Sequence, residues 1–534
     1  FNKGGITIKM KVLVTDKISE KSIQILKEEV IVETNYNLTP EELAQKIKDF
    51  DALIVRSGTQ VTKEVIGAAD NLKVIGRAGV GVDNIDIHAA TQKGIIVLNA
   101  PEGNTIAAAE HTIAMMLSLS RNIPSASNSV KRNEWERKKF MGVEIKDKVI
   151  GIIGFGRIGR EVAKRVRAFG MRVLVYDPYL SRETARSKGV ELVDFEILLK
   201  TSDFITLHVP LTDKTRNMID REEFAIMKPG IRIINCARGG IINEEALYEA
   251  IKQGIVAGAA LDVFEIEPPT KDNRLLTLDN VIATPHLGAS TREAQENVSL
   301  DVVKDVLRAL KGEQVKNPIN MPTIKDEDYE KIKPYMVLAE KMGKFYVQFK
   351  NGRINEIEMI YNGEISRFET KIITISALKG ILSVFLQESI NIVNAPVIAK
   401  ERGIRIKETK SPEIENYNNL VTLKVKTDKT TGSVSGTIFA KNDPRIVKID
   451  DFYIDLVPEG YVLLTSHRDQ PGVVGRVGTI LGENDINIAT MQVGRKYPRG
   501  EAIMALTVDE IVSKDIIKQL EQVKGINKMH LVIF

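Results

Sequence analysis

From Met10 onward, short runs of β-branched and aliphatic residues alternate with longer stretches whose apolar positions recur every three or four residues. KVLVTD (11–16) precedes a helix-like segment over 18–29, and ALIVRSG (52–58), LKVIGRAG (72–79) and GIIVLNAP (94–101) follow. Strand-like runs separated by amphipathic segments indicate βαβ units and a parallel sheet. A longer helix is expected over 105–120, where small residues and AMMLSLS give an apolar face. The same grammar restarts at KVIGIIGFGRIG (148–159). It continues through RVLVYD (172–177), FITLHVP (204–210), IRIINCARGG (231–240), VAGAALDVF (256–264) and NVIATPHLG (280–288). Two doubly wound units are expected in tandem. Residues 291–311 read as one helix running up to Gly312. If that helix returns to the first unit, a discontinuous domain of 10–107 and 291–320 wraps around a nucleotide domain of 108–290.

The Pro-containing segment KNPINMPTIKDED (316–328) breaks the pattern and reads as a linker. Beyond it, 329–456 mixes helices such as 376–390 with strands such as LVTLKV (420–425) and VSGTIFA (434–440), which suits an α+β domain over 321–456. Residues 460–534 run β-α-β-β-α-β, the ferredoxin-like order.

Composition narrows the picture without redrawing it. Hydrophobic residues make 43% and charged residues 27% of 534, which sets aside disorder and fibrous repeats. Seventy-five Lys+Arg against 71 Asp+Glu leave +4, too little excess to argue for nucleic acid but suited to small anions. The single cysteine, Cys236, excludes an intrachain disulfide framework and a Cys-rich zinc site and fits a reducing, cytoplasmic setting. No stretch near ~20 residues is free of charge, so no membrane span is expected, and the start lacks the apolar core of a signal peptide. Residues 1–9 precede Met10 and read as an added leader.

Gly154, Gly156 and Gly159 in GFGRIG follow the apolar run VIGII and open a helix-like stretch, REVAKRVRAFG. That is the place of a dinucleotide fingerprint, whose glycines allow a tight turn and close approach of the pyrophosphate to a helix N-terminus. Asp177, at the end of the next strand, supplies a carboxylate for the ribose hydroxyls and repels a 2′-phosphate, so NAD is favoured over NADP. The alternative is a turn that binds nothing, with Asp177 as a cap.

Three polar groups stand just past three successive strands: Arg238 after IRIIN, Glu267 after AALDV and His286 after VIATP. In an open α/β sheet such strand ends border one crevice. A guanidinium can hold a substrate carboxylate and polarise the reacting oxygen. His286 can take the hydroxyl proton as hydride leaves and return it in the reverse direction, and Glu267 can orient the imidazole. The set suits oxidation of a 2-hydroxy acid and requires no metal. Taken singly, each has a plainer explanation: a solvated arginine, an exposed glutamate, a structural histidine. His208, at another strand end, suits the cofactor wall. His111 is expected to pack on its helix, and Cys236 is expected to be a small buried residue without a nucleophilic role.

Together GFGRIG with YDP, HVPLTDKTRNMI, NCARGGIINEEAL, ALDVFEIEPP and TPHLGAST resemble the NAD-dependent D-2-hydroxyacid dehydrogenases, and the resemblance runs essentially from Met10 to Phe534. It implies an Arg–Glu–His set at Arg238, Glu267 and His286. It also implies cofactor contacts at Arg157, Ile158, Asp177, Pro210, Thr215, Ala237, Asp262 and Gly288, alongside the glycines. The expected fold is α/β: a flavodoxin-like substrate domain and a Rossmann NAD domain, both doubly wound, then the α+β domain and a ferredoxin-like one. VRSGT places Arg56 and Ser57, and GRAGVGVDNID places Arg77, Gly79 and Val80, at strand ends on the same crevice, with Asn104 at the head of the long helix. The long members that the chain resembles act on 3-phosphoglycerate, whose two anionic groups call for cations beyond Arg238. WERKKFMG (135–142) resembles a segment that reaches a neighbouring subunit's site, with Arg137, Lys138 and Lys139 as candidates. A homo-oligomer, a tetramer, is implied.

HRDQPG and INIATMQ resemble an ACT domain, an amino-acid-sensing module, which implies L-serine as effector at His467, Asp469 and Asn487. SALKGILSVF and NAPVIAKERGI resemble an allosteric-substrate-binding domain. Arg445 is a candidate ligand there, but Val457 and Thr507 stand where related chains carry arginine, so regulation through that domain is not expected. Two other functions stay open on the residues alone. One is a glyoxylate or hydroxypyruvate reductase, against which the two C-terminal domains argue. The other is a non-enzymatic NAD-sensing regulator, which could dispense with the catalytic set.

Overall fold

A computed structural model describes residues 9–386, 389–414, 416–440 and 442–534. The leader expected over residues 1–9 lies, Lys9 apart, outside them. The strands Lys11–Val14, Ile31–Thr34, Ala52–Val55, Val74–Arg77 and Ile96–Asn99 form a parallel sheet with Ile31–Thr34 at one edge and Lys11–Val14 beside it. Strands covered on both faces need continuous apolar runs, which is what VLV, ALIV and IVL supply. The helix Arg292–Lys311 does return to this sheet: Val298, Val302, Val303 and Val306 pack among Val12, Val14, Ile54 and Val74. Gly76 permits the close approach, since a β-carbon there would stand 2.6 Å from the side chains of Val302 and Val306. Thr291 caps the helix by accepting the Ala294 N–H at 3.1 Å, and Gly312 closes it at φ +71°.

The second sheet has seven parallel strands. Val149–Ile153 lies inside it, flanked on one side by Arg172–Tyr176 and Glu191–Leu192, and on the other by Phe204–Leu207, Ile231–Asn235, Val256–Leu261 and Val281–Ala283. The strand order reverses between Val149–Ile153 and Phe204–Leu207, the switch point where ligands enter open α/β sheets. The helix Thr105–Ser120, with the bounds expected from sequence, leaves the first sheet and packs on the helix Arg157–Ala168 and on the strands Ile231–Asn235 and Val256–Leu261. A further helix, Ile123–Lys131, has no counterpart in the sequence reading.

The third sheet is mixed and six-stranded. In spatial order its strands are Arg405–Ser411, Ile354–Gly363, Asn419–Thr427, Thr431–Phe439, Asp443–Ile449 and Phe452–Leu456. Two helices pack on it, Asp326–Phe349 and Lys371–Phe385, and they cross where Gly343 and Gly380 each face the other helix's backbone. The second helix corrects the expected 376–390. KIITIS has poor helix propensity, but burial of Ile372, Ile373 and Ile375 overrides it. The first begins inside the segment read as linker, with Asp326, Glu327 and Asp328 complementing the dipole of its first turn.

The last sheet runs Ile526–Ile533, Tyr461–Arg468, Glu501–Val508, Ile488–Arg495, all antiparallel, with the helices Val473–Glu483 and Lys514–Glu521, the ferredoxin-like arrangement expected. Val462, Leu464, Ile503 and Val532 join the core built on Asp326–Phe349. The Gln348 amide both donates to and accepts from the Ile533 backbone, at 2.9 and 3.0 Å. No helix among the described residues is long and apolar enough to cross a membrane.

Candidate active site

The nucleotide side is shaped by what its three glycines lack. Gly154 turns at φ +93°, with the His208 carbonyl 2.6 Å from where a β-carbon would stand. Gly159 lies against the Gly154 carbonyl, while Gly156 faces open space. The helix Arg157–Ala168 starts at Gly156 without a side-chain cap, so its first N–H groups point into that space. A pyrophosphate fits there, where a β-carbon at position 156 would intrude. Asp177 is half-buried and accepts from the Phe155 N–H at 2.8 Å and the Tyr179 N–H at 2.9 Å. Each carboxylate oxygen keeps a lone pair for a ribose hydroxyl. The loop cap and the ribose acceptor, set apart as alternatives on sequence, are compatible in one carboxylate.

Between the first two sheets lies a cleft of about 560 Å³. Val80, Gly81, Asp83 and Asn104 line it from one side; Arg157, Ile158, His208, Pro210, Ala237, Arg238, His286 and Gly288 line it from the other. Burial pushes His208 down to about 4, so it is a neutral wall group, and its Nε2 lies 3.1 Å from Thr206 Oγ1. Thr215 Oγ1 donates to the Pro210 carbonyl at 2.6 Å and shapes the outer wall. Burial, with Asp262 nearby, raises the Cys236 thiol to about 12, so it stays protonated as expected.

His286 Nδ1 sits 2.7 Å from Glu267 Oε2. Burial by itself would raise the Glu267 carboxyl. The hydrogen bond and charge of His286, the Phe264 N–H and Arg238 outweigh it and hold the group below the usual carboxylate range. An ionised Glu267 fixes Nδ1 as the donor and turns Nε2 toward the cleft. His286 has φ +55°, a left-handed conformation rare for residues with a β-carbon. Its N–H donates to the Asp262 carbonyl at 2.9 Å, while the next two N–H groups, of Leu287 and Gly288, donate to the Asp262 carboxylate at 2.7 and 2.8 Å. Asp262 is 1% exposed. Burial would raise its carboxyl too, but hydrogen bonds from His111, Thr284 and Leu287 hold it low.

Arg238 is held by its own turn: Asn235 Oδ1 accepts the Ala237 N–H at 3.0 Å, and Asn235 Nδ2 donates to the Arg238 carbonyl at 2.9 Å. Its guanidinium reaches across the cleft to Asp83, at 3.3 Å. Arg77 lies beside it. Burial, then the neighbouring Arg238 charge, pushes the Arg77 guanidinium down to about 10, with Arg56 adding to the repulsion. Arg77 Nε is buried without a hydrogen-bond partner, and so is Asn104 Oδ1 at the head of the helix Thr105–Ser120. Orphaned groups of this kind mark places where a ligand supplies the partner.

Arg238, Glu267 and His286 are brought together, with Arg56, Arg77, Gly79 and Val80 adjoining. Ser57 and Arg137 are exposed and do not line the cleft. Trp135 and Met141, in the same segment as Arg137, are 78% and 81% exposed. The effector trio does not come together within one chain. His467 is buried, with Nδ1 lacking a partner. Asp469 is engaged by Arg495 Nη1 at 2.8 Å and the Arg499 N–H at 3.1 Å. Asn487 lies at the opposite end of the sheet, bonded to Asp509 at 2.6 Å. Arg445 is likewise satisfied internally, by Asp443 and Asp455. Sequence reasoning missed Asn235 and the contact of His111 with Asp262. The polar position ending a buried strand in IRIIN was the available signal for Asn235.

Comparison with known proteins matches three stretches. Residues 113–288 match the D-isomer specific 2-hydroxyacid dehydrogenase NAD binding domain, 331–450 the D-3-phosphoglycerate dehydrogenase intervening domain, and 461–525 the ACT domain. The D-3-phosphoglycerate dehydrogenase of Methanocaldococcus jannaschii is 51% identical over 98% of this chain and 99% of its own. That of Bacillus subtilis is 48% identical over 98% and 99%. Among solved structures, a glyoxylate reductase from Paecilomyes thermophila superposes with a TM-score of 0.55 at 31% identity, over 59% of this chain and 99% of its own. A D-lactate dehydrogenase from Aquifex aeolicus, complexed with NAD and lactic acid, gives 0.53 at 32%, over 59% and 100%.

Proposed function

The chain belongs to the D-3-phosphoglycerate dehydrogenases, and from that premise we propose how its residues oxidise 3-phospho-D-glycerate to 3-phosphohydroxypyruvate with NAD, the first step toward L-serine. Similarity that spans both halves of the relatives, rather than the catalytic half alone, goes against a glyoxylate reductase or a bare NAD sensor. The glycine turn and the uncapped helix N-terminus hold the pyrophosphate, Asp177 the ribose, and Arg157, Ile158, His208, Pro210, Thr215, Ala237, Asp262 and Gly288 the rest of the dinucleotide's surroundings. When bound, NAD supplies the acceptor for the hydride leaving C2. Arg238 grips the substrate carboxylate and the C2 oxygen in fork geometry. His286 Nε2 takes the C2 hydroxyl proton while Nδ1 stays bonded to Glu267, so the developing imidazolium is paired as it forms. In the reverse direction the same proton returns to the oxygen.

The observation that carries the substrate assignment is the guanidinium cluster of Arg56, Arg77 and Arg238. Like charges are crowded there against Asp83, and Arg77 is depressed by burial and by Arg238 with its Nε orphaned. A substrate with both carboxylate and phosphate relieves that repulsion; an unphosphorylated acid supplies one charge of the two. Gly79, Val80 and Asn104 complete this anion-binding wall, and Ser57, exposed next to Arg56, stands outside it. We take the substrate domain to be 10–107 with 291–320, the NAD domain 108–290, the intervening domain 321–456 and the effector domain 460–534.

An ACT domain suits an amino-acid effector, and L-serine, the downstream product, is the one proposed. His467, Asp469 and Asn487 can share a ligand only if a second copy brings its opposite sheet end alongside. A homo-oligomer, a tetramer, meets that need and covers Trp135, Met141 and Arg137. A cytoplasmic setting accords with the lone thiol and the NAD requirement. The test is NADH formation from 3-phosphoglycerate and from glycerate, glyoxylate being run in reverse, with and without serine. Turnover confined to the phosphorylated acid and reduced by serine is expected; equal use of the acids would reject the assignment.

A further inference from the structure

A carboxylate that the catalytic trio does not include gathers three donors and a histidine behind the His286 loop. Asp262 accepts from Thr284 Oγ1 at 2.6 Å, the Leu287 N–H at 2.7 Å and the Gly288 N–H at 2.8 Å, and His111 Nε2 stands 3.1 Å from the same carboxylate while bonded to Thr284 Oγ1 at 3.3 Å. The loop donors are neighbours in sequence; His111 is not. It stands on the helix Thr105–Ser120, the segment that leaves the first sheet, starts at the cleft with Asn104 and then packs beneath the strands bearing Arg238 and Asp262. Its side chain is 18% exposed, that of Asp262 not at all.

We propose that His111 is a positioning residue for catalysis, whose Nε2–H orients the Asp262 carboxylate so that it clamps the loop carrying His286. A buried carboxylate accepts well only where its donors converge, and His111 is the one side-chain donor here that comes from outside the loop. Without it Asp262 can rotate within its plane, and the bonds to Leu287 and Gly288 lengthen. His286 is held at φ +55°, a conformation that persists only where the surroundings over-determine it. The loop therefore relaxes away from the geometry in which Nε2 faces the C2 hydroxyl. Asn104 and His111 share one helix, so the same rigid strut that presents a polar group to the substrate also sets the base. The second sheet is tied in as well, because the Asp262 N–H donates to the Asn235 carbonyl at 2.9 Å, next to the turn that holds Arg238.

This inference rests on the function proposed above for its kinetic readout and not for its structural one. Three full-length variants separate the possibilities. His111→Gln keeps a donor near the Nε2 position. His111→Asn keeps an amide that falls short of it. His111→Phe keeps the ring volume and removes the donor. Hydrogen exchange of the peptide covering residues 284–290 is measured beside kcat and KM. In the Phe and Asn variants exchange there is expected to rise at least about fivefold, the equivalent of one ordinary hydrogen bond. Turnover is expected to fall about 10- to 100-fold, the cost of misplacing a catalytic group by about 1 Å, while KM for 3-phosphoglycerate changes less than about threefold. His111→Gln is expected to restore both readouts. If the Phe variant does not fold, the Asn variant carries the comparison. Unchanged exchange at 284–290 in the donor-less variants overturns the proposal. So does a Gln variant as impaired as Phe, or exchange rising equally over the whole chain. Wild-type protein that forms no NADH from 3-phosphoglycerate would reject the function instead, and the exchange result would still decide the role of His111.

Discussion

The catalytic cleft and the terminal antiparallel sheet treat residues distant in sequence in opposite ways. In the second sheet all seven strands run parallel, so every carboxyl end reaches the same edge. Asp177, His208, Arg238, Glu267 and His286, spread over more than a hundred residues, gather there because each follows a strand. In the terminal sheet every neighbouring pair is antiparallel, and Tyr461, Val508 and Ile488 share one end while His467, Ala502 and Arg495 share the other. Asp469 and Asn487 are close in sequence and separated by the length of an eight-residue strand, roughly 25 Å. A parallel sheet assembles a site from one chain by topology alone. The antiparallel sheet keeps these positions at opposite ends of one chain.

His286→Ala is the most severe way to break that contrast on the cleft side. Turnover is expected to fall about 10²–10⁴-fold, the range of a lost general acid–base group, with NAD affinity by fluorescence titration nearly unchanged. Turnover close to wild type would mean that convergence at the strand ends is not what drives the chemistry. The rest of the cleft can be probed through its desolvation. His208, neutral at the sheet edge, has a folded-state value of about 4 against 6.5 when exposed. Between those limits the unfolded chain binds the proton and the folded one does not, so stability is lost as pH falls through about 6.5 toward 4. The loss amounts to about 3 kcal/mol at the acid end. His208→Gln is expected to flatten that part of the slope in urea unfolding at pH 7.5 and 5; an identical slope would show the histidine to be hydrated. Asp177→Ala, which removes both the loop cap and the ribose acceptor, is expected to weaken NAD about tenfold and to narrow its preference over NADP. Retained preference would return Asp177 to capping alone.

How much the sequence disclosed follows the same division. Where strands are buried on both faces, apolar runs mark them cleanly, and the polar residue ending each run marks the site; hence Arg238, Glu267 and His286 were legible. Asp262 was legible as a position, but its clamp on Leu287 and Gly288 depends on the folded loop at φ +55° and leaves no pattern. His111 looked like a packing residue because helical spacing says which face it occupies and nothing of what lies opposite. In the third sheet the helix Lys371–Phe385 escaped by five residues, since β-branched residues favour strands until burial decides otherwise. The terminal unit was read correctly element by element, yet its effector trio is split between the two ends of the sheet, because register and strand direction, rather than element type, decide which ends meet.

Asn487→Ala tests the other side of the contrast and carries the smallest effect on turnover. Asn487 stands at the sheet end away from His467, bonded to Asp509 and accepting the Asp509 N–H on its own carbonyl. Removing its amide leaves the cleft untouched, so kcat and KM without effector should stay within about twofold, as expected for a surface change far from the chemistry. The serine response should weaken by about tenfold in concentration, the share of one or two hydrogen bonds to a charged ligand. The stronger check mixes subunits. If the site spans two copies, Asn487→Ala and His467→Ala chains co-assembled with each other regain one intact site at every interface that pairs the unmutated ends, and part of the serine response returns. Two variants that fail to complement, in an oligomer shown by mass to contain both, would place all three residues' influence within single chains and end the argument from strand direction.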